Sequence, residues 1–315
     1  MAEPPPAPVP SPRSALGPAP AALPADWPHR EASHTLVAGG LRWHVQLLGP
    51  PPGTAPAVLL LHGSGASSHS WAGLAPLLAR THTVIAPDLP GHAFSDRPRA
   101  DGGLSLPGVS RAVGALLAAL GVQPVRVIGH SAGAAIGARL CLDGHAAPQD
   151  LVSLNGAWFP PGGAERWWYS PAAKLLTLNP LVPHLFAWQA SRPALLRRLI
   201  DSTGSTLTPA GLALYGRLVS NPAHVGAVLA MMAAWELPPL LHDLPRLQPH
   251  LHLVVGERDG TVPPAQAAQV QQRVAGSVLH RLPGLGHLAH EEDPTTLVRL
   301  LDGLAAASDS APTIR

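Results

Sequence analysis

Short apolar runs alternate with longer amphipathic stretches along most of this chain. The runs lie at residues 34–38, 41–48, 57–61, 83–86, 125–129, 151–154, 251–255 and 278–282, and each ends in turn chemistry. Several are apolar throughout instead of alternating, which suits strands buried on both faces of a sheet. Gly39-Gly40 separates the first two and predicts a hairpin. Helical patterning is predicted over 71–80, 108–120, 132–142, 265–275 and 295–306. Strand–helix alternation of this kind predicts an α/β fold: a mostly parallel eight-stranded sheet with helices on both faces.

The rhythm breaks between residues 156 and 240. That segment reads as several helices punctuated by prolines, from Pro160-Pro161 to Pro238-Pro239. It is too long for a loop and is expected to form an inserted helical cap over the sheet. At the other end, ten prolines fall between Pro4 and Pro28. Proline fixes its own φ and donates no backbone hydrogen bond, so residues 1–28 are expected to be a disordered arm. The expected division is therefore an arm at 1–28, a core at 29–155 and 241–306, a cap at 156–240, and a flexible tail at 307–315.

Composition narrows the classes. The 315 residues are 46% hydrophobic and 13% charged, enough for a large core and incompatible with disorder of the whole chain. The net charge is +2 and no basic stripe suggests nucleic acid; Arg192, Arg197 and Arg198 read as a solvated helix face. Cys141 is the single cysteine, so no intrachain disulfide forms, and its apolar helical setting reads as a core thiol. No window approaches the ~18–20 apolar residues of a spanning helix, and the N-terminus lacks signal-peptide patterning. A cytoplasmic protein is expected, with peripheral membrane contact left open.

Chemistry concentrates in four loops. Gly129-His130-Ser131-Ala132-Gly133 follows an apolar strand and opens a helix of small residues, the context a G-x-S-x-G nucleophile turn requires. A serine hydroxyl needs a base to take its proton. The candidate is His287, in Gly284-Leu285-Gly286-His287 after the last strand. The imidazole needs a carboxylate to fix its tautomer, and Asp259 follows the strand at 251–255. His62-Gly63-Ser64-Gly65 follows the strand at 57–61; the backbone N–H groups of Ser64 and Ala132 are the candidate oxyanion donors. Asp88 is an alternative acid. His62 and His130 flank the oxyanion region and read as packing residues. His287, His290, Glu291 and Glu292 could be metal ligands, but no second cluster accompanies them, so no metal or cofactor is expected.

From about residue 34 to 306 the chain resembles the α/β-hydrolase superfamily. Asp88-Leu89-Pro90-Gly91-His92-Ala93-Phe94-Ser95 is similar to that family's D-x-x-G-x-G-x-S turn, with Ala93 in place of the second glycine. A narrower resemblance rests on Trp27-Pro28-His29-Arg30, Gly40-Leu41-Arg42-Trp43-His44-Val45-Gln46, Gly129-His130-Ser131-Ala132-Gly133-Ala134-Ala135, Leu178-Asn179-Pro180-Leu181-Val182-Pro183 and Thr203-Gly204-Ser205-Thr206. Together these look like the BchO-type proteins, magnesium-chelatase accessory proteins of bacteriochlorophyll synthesis. The resemblance implies a role around magnesium insertion into protoporphyrin, a step of photosynthetic pigment supply, without identifying a reaction.

Nine of the 13 aromatic residues fall in the cap: Trp158, Phe159, Trp167, Trp168, Tyr169, Phe186, Trp188, Tyr215 and Trp235. They either fill its core, line an apolar pocket or form an interfacial patch. The expected function is hydrolysis of an ester-like, apolar small molecule, a porphyrin among the candidates, with Arg166, Arg192, Arg197 or Arg198 available to a propionate at the rim of the cavity. Magnesium-chelatase subunits are the candidate protein partners. The rival reading is a non-hydrolytic accessory protein that binds a porphyrin or a chelatase subunit on the same scaffold.

Overall fold

A computed structural model of the chain describes residues 16–160, 179, 181–190 and 192–309. Eight strands form one sheet: β1 (Ser33–Ala38), β2 (Leu41–Leu48), β3 (Ala57–Leu61), β4 (Thr83–Pro87), β5 (Pro124–His130), β6 (Asp150–Leu154), β7 (His250–Gly256) and β8 (Val278–Leu282). Their spatial order is β1-β2-β4-β3-β5-β6-β7-β8. The β1–β2 hairpin pairs antiparallel with itself and with β4, and the other pairings are parallel. Both faces are covered. Along β3, Ala57, Leu59 and Leu61 join one core while Val58 and Leu60 join the other, so a continuous apolar run is what the strand needs.

On the first face lie α2 (Leu106–Leu120) and α3 (Ala132–Leu142); on the second lie α1 (Ala75–Leu78), a short 3₁₀ turn at Ser68–Trp71, and α11 (Pro294–Asp309). The caps explain the bounds of α2. Ser105 Oγ accepts from Gly108 N–H, and Gly121 closes the helix in the left-handed region at φ 63°. The helix expected over 71–80 is shorter than its pattern: a 3₁₀ turn ends at Trp71 and α1 starts only at Ala75. Gly73 lies between them, where an added Cβ would be 2.9 Å from Pro294 Cγ.

Between β6 and β7 the chain leaves the sheet and builds the helical cap from α4 (Leu181–Ala190), α5 (Pro193–Ser202), α6 (Pro209–Val219) and α7 (Pro222–Ala234). It then returns through α8 (Pro238–Asp243), and the short helices α9 (Ala265–Gln271) and α10 (Ala289–Glu292) precede and follow β8. The prolines that punctuate the sequence here sit in the first turns of α5, α6, α7 and α8, where the missing N–H costs nothing.

Two boundary expectations need correction. Residues 16–28 are not a detached arm. Gly17 N–H donates to Thr35 O (2.7 Å) and the Gly17 carbonyl accepts from Thr35 N–H (3.2 Å), adding a bridge to β1. Leu23 and Trp27 are buried against Leu218, Phe94 and their neighbours, and Asp26 pairs with Arg217 at 2.6 and 2.8 Å. The apolar residues of this stretch, few among its prolines, are what dock it. Residues 1–15 lie outside the described residues. At the C-terminus α11 runs to Asp309, so the expected tail at 307–315 begins as helix; residues 310–315 lie outside the described residues. Among the described residues no single helix is long and apolar enough to cross a membrane.

Candidate active site

The sharp turn between β5 and α3 holds Ser131 at φ 51°, ψ −115°. A non-glycine residue with positive φ is strained, by about 1–3 kcal/mol, and the surroundings must hold it there. Ser131 N–H donates to Leu154 O (2.9 Å), and the Ser131 carbonyl accepts from Ala157 N–H (3.1 Å). The flanking glycines are required by contact. A Cβ on Gly129 would strike the Gly133 carbonyl, and one on Gly133 would strike the Leu61 carbonyl of β3.

His287 and Asp259 are brought together. His287 Nδ1 lies 2.7 Å from Asp259 Oδ2, with both side chains nearly inaccessible. The Thr261 and Val262 N–H groups, each at 2.8 Å, donate to Asp259 Oδ1. A carboxylate so engaged only accepts, so the imidazole carries its proton on Nδ1 and leaves Nε2 as a base. Asp88 is bound elsewhere. Its Oδ2 lies 2.7 Å from His44 Nδ1, and Ser68 N–H donates to Oδ1 at 2.8 Å. Burial alone would raise the Asp88 carboxyl, but His44 and these donors outweigh it and hold it below the usual range. Ala93, the departure from the D-x-x-G-x-G-x-S pattern, keeps the left-handed conformation at φ 43°, with its N–H donating to His224 Nδ1 at 3.0 Å.

Ser131, His287, Ser64 and Ala132 all line one cavity of about 600 Å³ under the cap. No hydrogen bond joins Ser131 to His287 here. Such contacts commonly tighten only when substrate is present. Among the described residues, neither Ser64 N–H nor Ala132 N–H donates to a protein acceptor, which leaves both for a developing oxyanion. The loop that carries Ser64 is held from two sides. Leu89 N–H donates to His62 Nε2 (2.8 Å), so His62 Nδ1–H donates to Gly63 O (2.8 Å). From the cap, His224 Nε2–H donates to Gly65 O at 3.2 Å.

The rest of the described cavity wall is mostly apolar, with Ser202, Thr203, His224, Thr261 and Gln266 as its polar members. Phe159, Phe186, Tyr215 and Trp235 line it, whereas Trp158 is buried in the main core and Trp188 is exposed. Trp167, Trp168 and Tyr169 lie outside the described residues. No Asp, Glu, Lys or Arg appears among the described lining residues. Arg192, Arg197 and Arg198, expected at the rim for a propionate, are exposed and not among the lining residues, and Arg166 lies outside the described residues.

Several residues essential to this geometry were not given a role by the sequence. The segment Thr203-Gly204-Ser205, between α5 and α6, ties the Asp259 and His287 loops to the cap. The Thr203 carbonyl accepts from Gly260 N–H and from His287 N–H, each at 3.1 Å. Ser205 Oγ accepts from Leu288 N–H at 2.8 Å. Gly204 sits at φ 75°, where a Cβ would strike the Arg258 carbonyl. Asn155, at φ 45°, performs a similar task below: its Nδ2 donates to Gly286 O (3.1 Å) and His287 O (2.8 Å), and its Oδ1 accepts from Gly256 N–H (2.7 Å).

A buried polar network lies behind the base. His130 Nε2–H donates to His287 O (2.9 Å), and its ring packs at a tilt against those of His287 and His290. Ser70 Oγ lies 2.8 Å from His290 Nε2 and donates to Glu291 Oε1 (2.5 Å), which also accepts from Tyr215 O–H (2.6 Å). Burial pushes Glu291 up to about 7 and His290 down to about 3. Glu292 accepts from Gly286 N–H (2.8 Å) and Thr206 N–H (3.3 Å). The acidic and histidine groups weighed as metal ligands are thus each engaged in the protein's own bonds. Among the described residues no group of three or more could hold a metal ion. Burial pushes the Cys141 thiol up to about 12, so it offers no thiolate.

Comparison with known proteins agrees with this architecture. The alpha/beta hydrolase fold family matches residues 56–294. The chain belongs to that family. It is 39% identical over 273 residues to the magnesium-chelatase 30 kDa subunit of Rhodobacter capsulatus, spanning 86% of this chain and 94% of that one. The BchO-type resemblance therefore holds. An alpha/beta hydrolase fold protein from Burkholderia ambifaria superposes with a TM-score of 0.68 at 29% identity, covering 85% of this chain and 98% of the other. A thermophilic esterase from Thermogutta terrifontis shares the fold, with a TM-score of 0.66 at 21% identity over 87% and 96% of the two chains.

Proposed function

We propose that the chain is a serine hydrolase of an uncharged, apolar, ester-like substrate, working beside the magnesium-chelatase step of bacteriochlorophyll synthesis. The observation that carries this reading is the buried His287–Asp259 pair, at 2.7 Å, opening on the cavity that also holds the strained Ser131. Ser131 Oγ attacks the substrate carbonyl and His287 Nε2 takes its proton. The Ser64 and Ala132 N–H groups hold the oxyanion, and Asp259 stabilises the imidazolium. His287 returns the proton to the leaving alcohol. A water then attacks the acyl-enzyme by the same route and releases the acid. The described wall, which carries no Asp, Glu, Lys or Arg, favours a neutral acyl chain or an esterified ring over a free carboxylic acid.

Kinetics with a soluble ester test the scheme. Ser131→Ala should lower turnover by roughly 10⁶-fold, and adding His287→Ala should cost little more, because the pair acts as a unit. Additive losses would mean that the two do not share a step.

A second reading has its own support. Relatedness to a chelatase subunit favours an accessory protein that engages that complex without hydrolysis. Its signature would be binding to chelatase subunits that Ser131→Ala leaves intact, together with no turnover of any ester.

A further inference from the structure

The outer surface of the cap carries a face that the triad does not use. Seven large hydrophobic side chains stand out as exposed among the described residues, and five of them are on α4 and α5: Leu181, Leu185, Trp188, Leu195 and Leu199, between 43% and 71% exposed. Leu181, Leu185 and Trp188 recur at i, i+4 and i+7, and Leu195 and Leu199 at i and i+4, so each set forms one stripe along its helix. The two helices pack on each other. Arg192, where they join, holds its guanidinium 4.4 Å above the Trp188 ring, and Arg197 and Arg198 are exposed further along the second helix. Asp201 is the single carboxylate on either helix.

These helices are also the cavity wall. Phe186 of α4 and Leu196 and Ile200 of α5 face inward, so α5 is apolar on two sides. Leu199 belongs to both surfaces: it lines the cavity and is 53% exposed.

We propose that this cap face docks on an anionic lipid bilayer, and that substrate enters the cavity from the bilayer beside Leu199. The entry step rests on the hydrolase reading; the docking does not. Leucines and a tryptophan seat at the boundary between headgroups and acyl chains, while the arginines meet lipid phosphates. Arginine over an aromatic ring is suited to that boundary, since the pair has an apolar body and a charged rim. A bilayer is favoured over a protein groove because exposed arginines accompany the leucines on these helices, and the mostly apolar described wall of the cavity behind them suits the kind of molecule that membranes store.

Co-sedimentation of the full chain with vesicles tests the proposal, comparing phosphatidylcholine alone with phosphatidylcholine containing phosphatidylglycerol. The wild type should bind the anionic vesicles, and binding should weaken as salt rises. The double change Leu185→Glu with Leu195→Glu should weaken binding at least about tenfold, and Arg197→Glu with Arg198→Glu should remove the preference for phosphatidylglycerol. None of these four residues lines the cavity, so turnover of a soluble ester should stay unchanged in both variants. Should the leucine variant fail to fold, the arginine variant alone decides. Wild type that ignores both vesicle types, or variants that bind as the wild type does, would overturn the docking. A wild-type dimer that Leu185→Glu dissociates, without vesicle binding, would assign the face to a second copy and overturn it too. Vesicle binding without turnover of any ester would leave the docking standing and sink only the hydrolase reading.

Discussion

Ser205→Ala isolates the cap's hold on the base loop. Ser205 is 3% exposed, and its Oγ is the acceptor for the N–H of Leu288, the residue after His287. Alanine removes the acceptor and adds nothing, which strands one buried N–H at a cost of about 1–3 kcal/mol. For a chain of this size that is a fall in Tm of roughly 2–5 °C. The Thr203 carbonyl still accepts from His287 N–H, so the loop should loosen and not detach. Misplacing a catalytic group by about 1 Å costs on the order of 10²-fold in rate. With one of two tethers gone, kcat should fall about 10- to 100-fold while KM changes less than about threefold. Steady-state ester hydrolysis and thermal melting of the same preparation provide both readings. Gly204→Ala should be worse in both, because its Cβ meets the Arg258 carbonyl at a φ that suits only glycine. Wild-type kcat and Tm in Ser205→Ala would refute a positioning role for this segment.

Trp27→Ala should destabilise by about 3–5 kcal/mol, because the ring is buried between Phe94 and His69; a fall in Tm of less than about 2 °C would mean that the N-terminal segment is not docked. Six histidines, His62, His69, His92, His130, His224 and His290, are held below their usual range chiefly by burial. The unfolded chain therefore takes up protons that the folded chain refuses, and stability is lost as pH falls below about 6.5, by up to about 1.4 kcal/mol per pH unit for each; flat urea midpoints from pH 7 to 5 would contradict this. Glu291, raised to about 7, has the opposite sign: its contribution is lost as pH rises from the ordinary glutamate range through about 7. Glu291→Gln should therefore raise stability at pH 8 relative to the wild type, by up to about 3 kcal/mol, and a loss at that pH would show that the ionised carboxylate is the stabilising form.

The sheet was legible because its strands are buried on both faces and so read as unbroken apolar runs. The Ser131 turn was legible because close contacts with the Gly133 and Leu61 carbonyls force glycine on both sides of it. The pairing of Asp259 with His287 was legible through their position after strands, a rule of topology. Thr203, Ser205 and Asn155 were not found, because they act through single hydrogen bonds across long sequence separations, which no local pattern records. Thr203-Gly204-Ser205-Thr206 did stand out as a family motif, but only the fold connects it with the loops it clamps. The N-terminal segment was misread because proline content outweighed Leu23 and Trp27, two residues whose burial depends on a surface built some 190 residues later. The shape of the cavity was not legible either, since the same aromatic residues would fill a core equally well.

Labelling with a fluorophosphonate probe tests the central claim most directly. The probe forms a stable adduct only with a serine whose proton has a base to receive it and whose oxyanion has donors to meet it. The account predicts one modified residue, Ser131, with labelling abolished in His287→Ala and retained, more slowly, in Ser205→Ala. No adduct on folded protein, or an adduct on another serine, would contradict it.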